Sequence, residues 1–100
     1  MNNTNKPDKT RPMFSLGTLF ATPGALNELF RHNVSSRDLL HRHVTGDWGV
    51  VSEHDAHANR FALRAGLRIL SSYKIADGIN VWIITEADRE STTILLPGEY

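Results

Sequence analysis

The chain has no cysteine. That excludes a disulfide framework, a thiol nucleophile and a thiolate metal site, and it fits a reducing cytoplasm. No apolar run approaches the roughly 18 residues of a membrane-spanning helix, so no membrane partner is expected. Residues 1–13, MNNTNKPDKTRPM, lack the apolar stretch of a secretion signal. They read as a disordered tail ahead of a single domain over residues 14–100. An excess of one charge is missing as well: Lys and Arg together number 11, and so do Asp and Glu. Without the tail, eight basic and ten acidic side chains remain. Non-specific nucleic-acid binding draws on neutralised phosphates and leaves a basic footprint, and net charge supplies none here. At 100 residues the chain can close one hydrophobic core and is too short for two.

What is present divides into helices first and strands last. Thr22 and Pro23 suit the N-cap and first position of a short helix running to about His32. Phe14 to Ala21 before it reads as a weak strand or an extended arm. Ser35 or Ser36 starts a second helix, with Leu39, Leu40, His43 and Val44 on one face and Gly46 at its end. Trp48 is expected to pack back onto the core. In SEHDAHANRFALRAG, Ser52 and Asp55 approximate a capping box. Ala58, Phe61, Ala62 and Ala65 form the expected buried stripe, and Gly66 stops the helix. LRILSSYKI then alternates, with Ile69, Ser71, Tyr73 and Ile75 on one face. An Asp-Gly turn leads to INVWIIT, a central strand apolar on both faces, in which Trp82 is expected to be buried. STTILLP follows and ends at Pro97. The pattern predicts an α+β domain, with about three helices packed on one face of a C-terminal three- to four-stranded antiparallel sheet.

Several residues admit both a structural and a chemical reading. His54 and His57 lie three apart on a helix beside Glu53 and Asp55, but no third ligand is placed, so solvated histidines are expected and neither a metal nor a cofactor. His43 shares its face with Leu39 and Leu40. It is either a half-buried histidine bonded to a backbone carbonyl or a general acid or base. Asp47 and Trp48 sit between Gly46 and Gly49, as a tight turn with a core plug or as a ligand-contact loop. The closing stretch VWIITEADRESTTILLPGEY gathers Thr85, Glu86, Asp88, Arg89, Thr92 and Thr93. Charge in a turn and threonine in strands are ordinary, but together with Arg68, Ser71 and Ser72 they also suit a binding or catalytic edge. Asp47, Trp48, Asp88 and Arg89 are the candidate binding residues.

From TLFATPGAL through HVTGDWG to WIITEADRESTTILLPGEY, the chain resembles a small uncharacterised bacterial family found on plasmids and integrated elements. Some of its members are labelled as restriction-system accessories. HVTGDWG and ITEADR-x-x-TTILLP-x-EY carry that likeness, which implies a mobile-element setting and no particular chemistry. RILSS followed by WIIT-x-x-D-R-x-x-T-T-I is more weakly similar to the late strands of the barnase and RelE-like ribonucleases. That likeness implies Arg68 as a phosphate-binding arginine. It sets Asp88 and Arg89 where a turn would bear the catalytic histidine, so this chain lacks the usual acid there.

Two functions follow as expectations. The first is a small accessory or regulatory binding protein of a mobile element, acting by contact with another macromolecule, a protein. The second is a metal-independent, toxin-like ribonuclease acting on RNA, with His43, Arg68, Arg89, Thr85 and Thr92 as its catalytic set.

Overall fold

A computed structural model describes residues 11–100. Of the expected tail it therefore covers only residues 11–13, where the Met13 N–H donates to the Val44 carbonyl at 2.8 Å. Strand β1 (Thr18–Ala21) precedes helices α1 (Pro23–Arg31), α2 (Ser36–Val44) and α3 (Glu53–Ala65). Strands β2 (Ile69–Ala76), β3 (Ile79–Thr85) and β4 (Ser91–Leu95) follow, and a short 3-10 turn, Pro97–Glu99, closes the chain.

Each helix begins as its sequence dictates. The side chains of Thr22, Ser35 and Ser52 accept from the N–H groups of Ala25, Asp38 and Asp55, which satisfies donors that a helix start leaves orphaned. Gly66 ends α3 in the left-handed conformation, where it avoids the Cβ clash.

The four strands lie in the order β1-β4-β3-β2. The meander β2-β3-β4 is antiparallel, as its turns require. β1, however, pairs with β4 in parallel, so the sheet is mixed and the expected all-antiparallel sheet is corrected. Three helices and two strands lie between β1 and β4, so the two are joined by a long connection that permits parallel pairing, which no tight hairpin could do.

The ladder assigns every strand residue to one of two faces. On the inner face Thr92, Thr85 and Ile69 form one row, Ile94, Ile83 and Ser71 a second, and Val81 and Tyr73 a third. All are 4% exposed or less. The buried helix residues Ala25, Leu29 and Leu39 cluster with Tyr73, Val81, Ile83 and Ile94 of this face, and Ala62 clusters with Ile69 and Trp48. Helices therefore cover the inner face, as expected.

The outer face carries Phe20, Thr93, Ile84 and Leu70 in one row and Leu95, Trp82 and Ser72 in the next. Trp82 lies here and, against expectation, is only partly buried, whereas Ile84 and Leu95 on the same face are buried. α3 also differs from expectation. Asn59 and Ala62 are buried, whereas Ala58, Ala65 and Phe61 are exposed, Phe61 at 52%. The helix is anchored through Asn59, whose amide donates to the Leu70 carbonyl and accepts from the Leu70 N–H.

Candidate functional site

Three of the residues singled out for catalysis, His43, Thr85 and Thr92, meet at one buried place. α2 carries His43 onto the inner face, where its Nδ1 lies 2.6 Å from Ser71 Oγ and its Nε2 lies 2.8 Å from Thr85 Oγ1. Thr85 Oγ1 is 2.7 Å from Thr92 Oγ1, and Thr92 donates to the Leu16 carbonyl at 2.7 Å. His43, Ser71, Thr85 and Thr92 are all 0% exposed.

The direction of this chain follows from its last member. A carbonyl only accepts, so the Thr92 proton goes to Leu16. Thr85 must then donate to Thr92, and His43 Nε2–H to Thr85. Nδ1 is left as the acceptor for the Ser71 hydroxyl. Every proton has one acceptor, and the imidazole is neutral. Burial pushes its pKa down to about 3, because a low-dielectric site penalises the charged ring. Phe14 meets the imidazole edge-on at 5.3 Å between centroids, and Trp48 does so at 6.2 Å.

His43 is thus fully buried, and its partners are hydroxyls of the sheet. A general base must reach the proton it abstracts, and this ring reaches none but those of its own core. Thr85 and Thr92 are sealed in with it.

The arginines lie elsewhere. Arg89, in the β3–β4 turn, adopts a left-handed φ of 62°. Its guanidinium donates to the carbonyls of Leu67 at 2.7 Å and Ala62 at 3.0 Å, and to Glu86 and Ala87 in its own turn. It sits over the Phe14 ring at 5.6 Å. A cation at the C-terminal carbonyls of α3 also complements the helix dipole. Asp88 accepts from the Glu90 N–H, which tightens the same turn. Arg68 points to other partners: it pairs with Glu86 at 3.1 Å and donates to the Tyr100 hydroxyl.

The loop after α2 is similarly occupied. Asp47 takes two bonds from Arg42, at 2.7 and 3.3 Å, and the Asp47 carbonyl accepts from the Tyr73 hydroxyl. The carboxylate raises the Arg42 pKa, and burial raises that of Tyr73. Trp48 is 7% exposed and packs on the core as expected. Gly49 has a positive φ, and a Cβ there would collide with the Ser72 carbonyl. Gly49 therefore serves the close approach of residues 48–50 to β2, and Gly46 takes a positive φ beside Met13.

Two features were not anticipated. One is a pocket of about 320 Å³ lined by Glu28, Gly78, Ile79, Asn80, Leu96 and Pro97. Glu28 Oε1 and His32 Nε2, 3.5 Å apart, are buried without a hydrogen-bond partner. The other is an aromatic patch on the outer face. Tyr100, 67% exposed, meets Trp82 at 5.7 Å and 62° between rings. Arg68 lies 6.0 Å over the Tyr100 ring. Nothing in the local pattern PGEY marks Tyr100 as a partner of β3.

No group of three or more His, Asp or Glu side chains among the described residues is placed to hold a metal, and no helix among them is long and apolar enough to cross a membrane. No family model, curated protein or solved structure matches the chain.

Proposed function

We propose that the chain is a small accessory binding protein that acts by contact with a protein partner, and that the contact surface is the outer face of the sheet around Trp82, Tyr100 and Leu70. The observation that carries this reading is the exposed, arginine-held tyrosine stacked edge-on against a half-buried tryptophan. Tyrosine, tryptophan and arginine are the residues enriched at the energetic centres of protein interfaces. Here they stand together, rimmed by the Arg68–Glu86 ion pair. A balanced charge of 11 against 11 supports a protein over a nucleic acid as the partner. The likeness of HVTGDWG and the closing hairpin to plasmid-borne proteins supports a partner encoded by a mobile element.

The test is capture from a lysate of the native host by the full chain, beside a Tyr100→Ala and a Trp82→Ser protein. The reading requires one protein that the wild type retains and both variants release. Equal retention by all three removes the outer face as the contact. Cleavage of RNA by the purified wild type, lost in His43→Gln, would replace this reading with the ribonuclease.

A further inference from the structure

The two edges of the sheet are finished differently. Along β2, Asn59 occupies the N–H and C=O of Leu70, while the Trp48 carbonyl and Val50 N–H occupy those of Ser72. Along β1, nothing among the described residues does the same. The backbone N–H groups of Thr18 and Thr22 donate to the carbonyls of Glu90, just before β4, and Ile94 within it. By alternation, the N–H and C=O of Leu19 and Ala21 point away from the sheet. Leu19 is 52% and Phe20 54% exposed, one on each face.

Bare edges are normally blunted by lysine, proline or a bulge. β1 has none of these: its pairing with β4 is regular, and residues 13–27 contain no charged side chain. We infer that the outer edge of β1 pairs antiparallel with β1 of a second copy, in the register that sets Phe20 opposite Phe20.

Three arguments select this occupant. An antiparallel edge is self-complementary, so a two-fold axis satisfies both copies at once. A strand without charge offers an acidic or basic peptide no electrostatic gain, and its own copy no repulsion. Finally, the assembly closes. Pairing consumes both β1 edges, and the outer edges left over are the two β2 strands, already covered at Leu70 and Ser72.

The register follows from the free groups. Leu19 opposite Ala21, twice over, has each residue exchange both of its outward bonds with its partner. Phe20 then faces Phe20 in the closer, non-hydrogen-bonded position, where cross-strand aromatic pairs contribute most. The contact is small, so a reversible dimer is expected. This inference does not depend on the outer-face partner.

The absence of cysteine makes the test clean. Phe20→Cys carries one thiol, close to its symmetry mate and within disulfide reach. Leu19→Cys carries one opposite Ala21. Under mild oxidation Phe20→Cys should cross-link roughly tenfold faster than Leu19→Cys, since disulfides form only over short Cβ separations. Sedimentation of the wild type should show a dimer that dissociates on dilution. Ala21→Pro, which removes one outward N–H and suits an edge strand, should be monomeric with an unchanged circular dichroism spectrum. If Ala21→Pro does not fold, Phe20→Lys takes its place with the same expected mass. A wild type monomeric at every concentration, equal or reversed cross-linking rates, or a dimer that survives both substitutions would each overturn the inference.

Discussion

The inner and outer faces of this sheet differ in where they place polar and aromatic side chains. The inner face, sealed by helices, holds Ser71, Thr85 and Thr92 around a buried histidine, all at 0% exposure. The outer face carries an exposed Phe20, the partly buried Leu70 and Trp82, and an exposed Tyr100 against Trp82. Burying polar groups is costly unless each is hydrogen-bonded. The inner face meets that condition with hydrogen bonds that all donate in one direction, from the Ser71 hydroxyl to the Leu16 carbonyl. The polar residues at this centre are structural, whereas Phe20 and Tyr100 are the aromatic side chains that the outer face leaves to solvent. The contrast can be broken at either face.

The largest effect is expected at the inner face. His43→Ala should remove about 3 kcal/mol or more of stability, or prevent folding, because it leaves a cavity and strands the Ser71 and Thr85 hydroxyls. Denaturant melts of the two proteins measure it. A loss below about 1 kcal/mol would mean that the polar chain is not the core's organiser.

Acid should weaken the same point more gradually. The folded pKa of about 3 lies below the ordinary histidine value near 6.5. Above pH of about 6.5 neither state binds the proton. As pH falls from there toward about 3, the unfolded chain takes up a proton that the folded one refuses, so stability drops by up to about 1.4 kcal/mol per pH unit. His43→Gln, which can still donate to Thr85 and accept from Ser71, should fold and lose this component. Parallel stability–pH curves for the two proteins would refute the burial of a neutral ring.

The elements were legible where local chemistry decides them. Thr22, Ser35, Ser52 and Gly66 sit at the helix ends their residue types predict. The parallel pairing of β1 was not legible, since four residues, TLFA, carry no signal of direction and five elements separate them from the partner strand β4. The sites were harder still. Thr85, Thr92 and His43 do converge, but their types cannot say whether they converge on solvent or on each other. Asn59 was missed because an asparagine in a helix interior reads as exposed, whereas here it substitutes for a missing strand. Phe61 misled in the opposite sense: apolar spacing put it on a buried face, and α3 turns its Asn59–Ala62 side to the sheet instead.

An intermediate effect is expected at Arg89, which joins the β3–β4 turn to the end of α3. In a solvated turn its truncation would be nearly silent. With bonds to the Leu67 and Ala62 carbonyls, Arg89→Ala should cost about 1–2 kcal/mol. Arg89→Gly relieves the left-handed backbone but also loses the guanidinium. If it is less destabilising than Arg89→Ala by a few tenths to about 1 kcal/mol, backbone strain is part of the cost. Equal melting of all three proteins would return Arg89 to the free surface.

The smallest effect on stability, and the sharpest test of the contrast, belongs to the outer face. Tyr100 is two-thirds exposed and ends the chain. Its ring touches Trp82 and its hydroxyl meets Arg68. Removing an exposed edge-on contact should change stability by less than about 0.5 kcal/mol, and Trp82→Ala, half-buried, by about 1–2 kcal/mol. If the outer face binds a protein, Tyr100→Ala should still weaken capture by about tenfold, since truncating an interface aromatic commonly costs more than 1 kcal/mol of binding. A variant with unaltered melting and impaired capture would separate surface from scaffold at a single residue. Should Tyr100→Ala lower the melting temperature as much as His43→Ala does, the terminal turn is a true cover for the sheet, and the two faces differ in chemistry without differing in role.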